Sequence, residues 1–221
     1  MKTITIRTSK RIIKNCVYMC INEETNESFL VDPSWNLDKI LDESRQNNCT
    51  INALLITHSH FDHINLIEEI TNLYDIPVYV SATEAADFNF SCPNMVLFDD
   101  NDILDICSMK VRTLLTPGHT TGSSCFLCGD SLFCGDTILI EGCTFVDEEG
   151  GDVSALYKSV TRLREIIPDT CRIYPGHANH SEPGVTMRDM KSSNKYIQAD
   201  ELLVFEGLMD VKNILALVER R

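Results

Sequence analysis

The sequence predicts an α/β fold of two sheets with helices on their outer faces, and three observations carry that expectation. Strand-length apolar runs alternate with stretches of helical periodicity in both halves of the chain. The 221 residues are 43% apolar, enough to enclose the core of one compact domain. No stretch is rich enough in Pro, Gly or Ser to act as a linker, and no repeat recurs at a fixed period. Residues 1–221 are therefore read as a single domain ending in a short helical tail, 186–221.

The elements follow in order. Cys16 to Ile21 and Ser28 to Val31 are apolar runs separated by the polar Asn22 to Glu27, a hairpin pattern that ends at Asp32-Pro33. Leu37, Ile40 and Leu41 keep helical spacing through about Gln46, where Asn47-Asn48 stop it. Ala53 to Thr57 reads as a buried strand, Ile64, Ile67, Ile70 and Leu73 as the apolar face of one helix, and Pro77 to Val80 as the next strand. Four short runs, 103–106, 110–115, 124–127 and 131–134, follow one another closely, so antiparallel pairing is expected there. Asp152, after Gly150-Gly151, is an N-cap candidate for a helix lined by Val153, Leu156, Tyr157, Val160, Leu163 and Ile167 as far as Pro168. Arg172 to Tyr174 is one more strand, and Met187, Met190, Ile197 and Leu202 to Phe205 supply the tail's apolar contacts.

Bulk composition excludes several classes. With 19 basic against 33 acidic residues the formal charge is −14, which repels phosphate backbones and anionic lipid, so neither nucleic acid nor membrane is an expected partner. Ten cysteines in 221 residues fall below the roughly 8–10% of a disulfide scaffold. The N-terminus lacks a signal-peptide core and no 18-residue apolar run occurs, so a soluble cytoplasmic protein with reduced thiols is expected.

Four apolar runs end in the same manner. One leads into His58-Ser59-His60-Phe61-Asp62-His63, and the others lead into His119, Asp136 and His177. Ligand sites in α/β structures gather at the carboxyl ends of strands, so these residues are expected to converge. Five of the six histidines lie here with two aspartates, the donor set of divalent transition metals. Seven ligands exceed the four of one tetrahedral ion. Two ions sharing a ligand account for them: His58, His60 and His119 on one, Asp62, His63 and His177 on the other, and Asp136 bridging.

Thr57-His58-Ser59-His60-Phe61-Asp62-His63, Pro117-Gly118-His119-Thr120-Thr121-Gly122-Ser123, Gly135-Asp136-Thr137 and Pro175-Gly176-His177 resemble the motifs of the metallo-β-lactamase superfamily in its glyoxalase II-like branch. The resemblance runs from about residue 12 to residue 180. It implies a four-layer αββα sandwich with a dinuclear zinc site at one edge of the sheets, and its usual ligand roles agree with those above. Ile140-Glu141-Gly142-Cys143-Thr144-Phe145, Gly150-Gly151-Asp152 and the following helix are similar to thioester hydrolases, closest to the zinc-dependent hydrolases associated with polyketide, and hence antibiotic, biosynthesis. Two departures narrow this. Only 44 residues follow His177, which is short for the glutathione-binding helical region of glyoxalase II, and Asp136 with His63 completes a second metal site that lactamases proper build differently.

Two adjacent cations lower the pKa of a shared water from about 15.7 to about 7, so a hydroxide nucleophile is available without Ser or Cys. Asp62 and Asp136 are the expected catalytic carboxylates, fixing the metals and the hydroxide. A thiolate, with a conjugate-acid pKa of about 8.5, departs without a separate general acid, which favours acyl thioesters of a carrier protein, coenzyme A or glutathione. A hydroxyacylglutathione hydrolase is the first alternative. A persulfide dioxygenase is the second, since these ligands also accept iron, and manganese would suit them too. A binding protein that keeps the fold is disfavoured by the intact ligand set.

Other residues receive plainer readings. Cys125 and Cys128 form a C-x-x-C within a strand, which puts the thiols on opposite faces, and Cys134 and Cys143 are read as packing residues. His180 is read as a surface residue near the pocket mouth, Thr120 to Ser123 as a hydroxyl-capped turn, and Asp32 as a strand end with a secondary claim to support the metal ligands. Lys2, Arg7, Lys10, Arg11 and Lys14 place five of the 19 basic residues in the first 14 positions. They are read as a charge-protected edge strand, with docking of an acidic carrier protein as the sharper hypothesis.

Overall fold

Three separate apolar clusters divide the molecule into four layers. The computed structural model describes residues 1–146, 149–178 and 181–219, with side chains through Asp210. The first sheet has the spatial order β1 (Lys2–Lys10), β2 (Ile13–Ile21), β3 (Glu27–Val31), β4 (Thr50–Leu55), β5 (Val78–Ser81), β6 (Met95–Phe98). Its first three strands are antiparallel and the rest parallel, because helical crossovers join β3 to β4 and β4 to β5. The second sheet runs β7 (Ile103–Ile106), β8 (Met109–Leu115), β9 (Ser124–Cys128), β10 (Ser131–Gly135), then β13 (Arg172–Pro175) and β14 (Val185–Thr186). The four consecutive strands pair antiparallel, as their close spacing predicts, and only β10 and β13 are parallel.

Tyr18, Phe29, Phe126 and Phe133 fill the space between the sheets. Helices α1 (Leu37–Gln46) and α3 (Ile67–Tyr74) cover the first sheet through Ile40, Ile67 and Ile70 against Leu30, Leu54 and Val78. Over the second sheet, α5 (Val153–Ile166), α6 (Met187–Ser193), α7 (Lys195–Gln198) and α8 (Leu202–Glu219) bury Leu156, Leu163, Met190, Ile197 and Phe205. Helices outside two facing sheets give the αββα order. Cys125 packs on the helix side of its sheet and Cys128 between the sheets, the opposite faces that strand alternation requires. Asp152 accepts from Ala155 N at 2.9 Å and caps α5. No helix among the described residues is long and apolar enough to cross a membrane.

The basic N-terminal segment is the edge strand expected of it, nine residues long and free on one side of its sheet. Elsewhere the structure departs from the sequence expectation in three places. Two elements, α4 (Ala82–Asp87) and β6, occupy a stretch to which the sequence pattern assigns no element; the apolar run of β6 is only four residues long. The helix expected over 64–73 is two helices, α2 (Phe61–Ile64) and α3. Asn65 separates them: its side chain donates to Phe61 O (2.7 Å) and accepts from Trp35 N (2.8 Å), competing with helical hydrogen bonding. A two-stranded ribbon, β11 (Ile138–Leu139) and β12 (Gly142–Cys143), precedes α5.

Candidate metal centre

The two sheets are stitched together along one edge. Cys16 N donates to Gly176 O (2.8 Å), Ser124 N to Thr57 O (2.9 Å) and Tyr18 Oη to Pro175 O. At this seam the loops after β4, β8, β10 and β13 converge, carrying His58 to His63, His119, Asp136 and His177 respectively. Asp62 and His63 lie on α2, and His60 is its N-cap.

All seven residues singled out in the sequence stand together here. Donor atoms of His58, His60 and His119 lie within 4.8 Å of one another, as do those of Asp62, His63 and His177. Asp136 lies between the two sets: Oδ1 is 3.7 Å from His63 Nε2, while Oδ2 is 3.7 Å from His119 Nε2 and 3.3 Å from His177 Nε2. Asp62 Oδ2 is 3.3 Å from His177 Nε2 and 3.6 Å from His63 Nε2. Ligands about 2.0–2.1 Å from one tetrahedral ion stand about 3.3 Å apart, so these separations suit a shared cation. Nε2 of His58, His63 and His119 and Oδ1 of Asp136 are buried without a hydrogen-bond partner among the described residues. Each such atom costs about 1–3 kcal/mol, a cost that cations within their reach would remove. The donor set therefore fits two divalent ions.

The opposite ring nitrogens explain why Nε2 of His58, His63, His119 and His177 faces inward. His58 Nδ1 meets Thr57 Oγ1 (3.0 Å), His63 Nδ1 meets Asp32 Oδ2 (3.0 Å), His119 Nδ1 meets Phe145 O (2.9 Å) and His177 Nδ1 meets Lys14 O (2.6 Å). Thr57 N and Oγ1 both donate to Asp32, at 2.8 and 2.6 Å. Thr57 Oγ1 thus has a lone pair left to accept from His58 Nδ1–H. Asn15 Nδ2 donates to Asp62 Oδ2 (3.0 Å), and Trp35 Nε1 to Asn15 Oδ1 (2.6 Å). Such contacts fix tautomer and ring orientation. Gly176 also belongs to this packing, since a Cβ there would stand 2.4 Å from Asp136 Oδ1 and 2.7 Å from His63 Cε1.

Burial holds the His58 imidazole well below its ordinary pKa, and the neighbouring His63 and His119 add to the effect, which keeps it in the neutral, ligating form. Burial works against charge on Asp62, but His177, His63 and Asn15 outweigh it and keep the carboxyl ionised far below the usual range. Asp136 behaves likewise under His177, His63 and His119. Burial lowers His177, yet Asp136, Asp62 and the Lys14 carbonyl raise it to about 11. Two ionised carboxylates in a buried cluster create a field that favours cations, and dications compete with the protons of their imidazole partners.

Sequence reasoning missed Glu84, which is 1% exposed. Its Oε1 accepts from Ser59 N and Oγ, both at 2.7 Å, and its Oε2 from Thr120 Oγ1 (2.7 Å) and Gly122 N (3.2 Å). One carboxylate therefore ties the His58–His60 loop to the loop after His119. The only local signal, Ser81-x-x-Glu84, is a capping pattern: Ser81 Oγ does accept from Glu84 N (3.1 Å), but the carboxylate turns to the loops. Thr120 N also donates to Ser123 Oγ (3.0 Å), the expected turn capping. Cys134 and Cys143 pack in the helix-side core of the second sheet. His180 lies outside the described residues.

Comparison with known proteins agrees with this architecture. Residues 11–177 match the model of the metallo-beta-lactamase superfamily. The chain is 34% identical over 208 residues to the probable polyketide biosynthesis zinc-dependent hydrolase BaeB of Bacillus velezensis, covering 94% of this chain and 92% of that one. It is 31% identical over 166 residues to a hydroxyacylglutathione hydrolase of Shewanella halifaxensis, covering 74% and 61%. The crystal structure of ETHE1 from Myxococcus xanthus superposes with a TM-score of 0.83 at 27% identity, covering 94% of this chain and 90% of that one. With the family model spanning most of the chain and the αββα layers in place, the protein belongs to the metallo-beta-lactamase superfamily.

Proposed function

We propose that this chain is a dinuclear zinc hydrolase of acyl thioesters, with His58, His60 and His119 holding one ion, Asp62, His63 and His177 the other, and Asp136 both. The observation that carries the reading is the position of Asp136, whose two oxygens face imidazoles of both sets at 3.3–3.7 Å. When bound, the metals supply an activated water at neutral pH and polarise the substrate carbonyl.

The protein's own groups do the rest. Asp62 and Asp136 remain ionised at neutral pH, so each offers a carboxylate oxygen that can accept a hydrogen bond from the attacking water and orient it. His58 stays neutral, and Asp32, Thr57 and the Lys14 carbonyl keep the rings from rotating. The thioester assignment is supported by the leaving group, because a thiol of pKa about 8.5 departs as thiolate without protonation. It is also supported by the relatives, one named as a hydrolase of an acylated glutathione and one as a hydrolase of polyketide biosynthesis. A cytoplasmic location belongs to the same reading, supported by a thiol content suited to a reducing compartment.

A thiol-release screen of zinc-loaded protein across acyl-coenzyme A, acyl-pantetheine, carrier-protein acyl thioesters and lactoylglutathione tests the proposal, with metal analysis alongside. The expected result is two zinc ions per chain and turnover of at least one thioester class. Oxygen uptake with a persulfide, iron in the protein and no thiol release from any thioester would overturn it.

A further inference from the structure

Beside the metal centre lies a groove of about 500 Å³ lined by Lys10, Arg11, Ile12, Ile13, Trp35 and Phe61. Its upper wall is the tip of the β1–β2 hairpin, where Arg11 has φ 58° and Ile12 is 93% exposed. Phe61 is 67% exposed, although it sits in sequence between His60 and Asp62. Large apolar side chains are unfavourably placed in water, so two of them lining one groove beside the candidate centre mark a contact surface.

The groove is built, not incidental. Trp35 packs edge-on against Phe61 with ring centroids 5.8 Å apart, and Lys10 Nζ lies 5.2 Å from the Trp35 ring centroid. The Trp35 indole donates to Asn15, whose amide donates to Asp62. The groove floor and the candidate ligand Asp62 are thus held in one hydrogen-bonded register.

Charge decides the occupant. Lys10, Arg11 and Lys14 are exposed within five residues of the hairpin, on a chain whose formal charge is −14, and no acidic residue lines the groove. Lys2 and Arg7 are committed elsewhere: Lys2 donates to Asn47, and Arg7 donates to Ala178 O while pairing with Glu182. An apolar groove with two cations in its lining suits a long uncharged arm that ends in an anion. Glutathione is charged along its short length and matches this poorly, whereas a phosphopantetheine arm matches it well. A phosphodiester needs only one of the three cations, and the surplus suits an acidic protein surface.

We propose that this groove is the docking surface for an acidic carrier protein, whose phosphopantetheine arm lies along Ile12, Ile13, Trp35 and Phe61 with Lys10 and Arg11 engaging the anionic end. The inference rests on the thioester reading for the nature of the arm.

The test is a binding measurement on the zinc-loaded protein, so a failure of thioester hydrolysis is scored separately. The ligands are an acidic carrier protein with its arm capped as a non-hydrolysable thioether, the same capped arm attached to coenzyme A, and the capped arm alone. For K10E/R11E the Kd of the carrier is expected to rise about tenfold or more, with the difference shrinking in high salt. I12S is expected to weaken all three ligands, and wild type to prefer the carrier over capped coenzyme A. Equal carrier affinity for wild type and K10E/R11E, coenzyme A binding as tight as the carrier, or no carrier binding at all would each overturn the proposal.

Discussion

Replacing Glu84 by Gln offers a sharp test of how the candidate centre is held. The side chain keeps its shape, but one carboxylate oxygen becomes an NH2 group. If the amide faces Ser59 or Gly122, a backbone N–H at 2.7 or 3.2 Å loses its acceptor, and backbone N–H groups cannot reverse their role as hydroxyls can. Loss of a charge-assisted hydrogen bond in a buried setting costs about 1.5–3 kcal/mol. The loops so loosened carry His58, His60 and His119, whereas Asp62, His63 and His177 have no direct hydrogen bond to Glu84. If most of that cost falls on metal binding, affinity at the first set drops roughly ten- to a hundredfold, with the second set little changed. Zinc titration against a competing chelator resolves the two sites. Equal weakening of both, or none at either, would refute the idea that Glu84 acts as a clamp on the three-histidine set.

Three further outcomes follow from the same contacts. Asp32→Asn is expected to weaken both sets by about ten- to a hundredfold, because Asp32 holds the His63 ring directly and the His58 ring through Thr57; a loss confined to one set would contradict this. Gly176→Ala should keep native circular dichroism yet lose at least about tenfold of its zinc affinity, since the new Cβ collides with Asp136 and His63; normal zinc binding would refute the packing argument. The third concerns alkaline pH. Burial pushes the Cys125 and Cys171 thiols up to about 11, whereas an unfolded thiol ionises at about 8.5. The folded state therefore holds protons that the unfolded state releases, and stability falls as pH rises from about 8.5 towards about 11. Urea midpoints of wild type and Cys125→Ala across that range check this, the variant being expected to show a shallower decline.

Much of the fold and the candidate centre was legible because the informative residues are local in sequence. His58 to His63 fall within six positions, and the antiparallel run from Ile103 to Cys134 follows from strand spacing alone. What escaped depends on contacts between distant segments. Glu84 meets partners 25 and 36–38 residues away, and its own neighbourhood reads as an ordinary helix start. Asn15 reaches Asp62 across 47 residues from a strand whose pattern speaks only of burial. The break between α2 and α3 was hidden because Ile64, Ile67 and Ile70 keep helical spacing across it, while Asn65 acts through Trp35, 30 residues earlier.

The seam between the sheets has a consequence for the life of the protein in the cell. His58 to His63 come from the first sheet and His119, Asp136 and His177 from the second, so cations held among them would clasp the two halves of the molecule. Any ion that binds only the folded state adds RT ln(1 + [L]/Kd) to its stability. Zinc supply would then set how often the halves part and expose the aromatic layer around Tyr18, Phe29 and Phe133 to proteases, so starvation for the metal should shorten the protein's half-life as well as silence its chemistry.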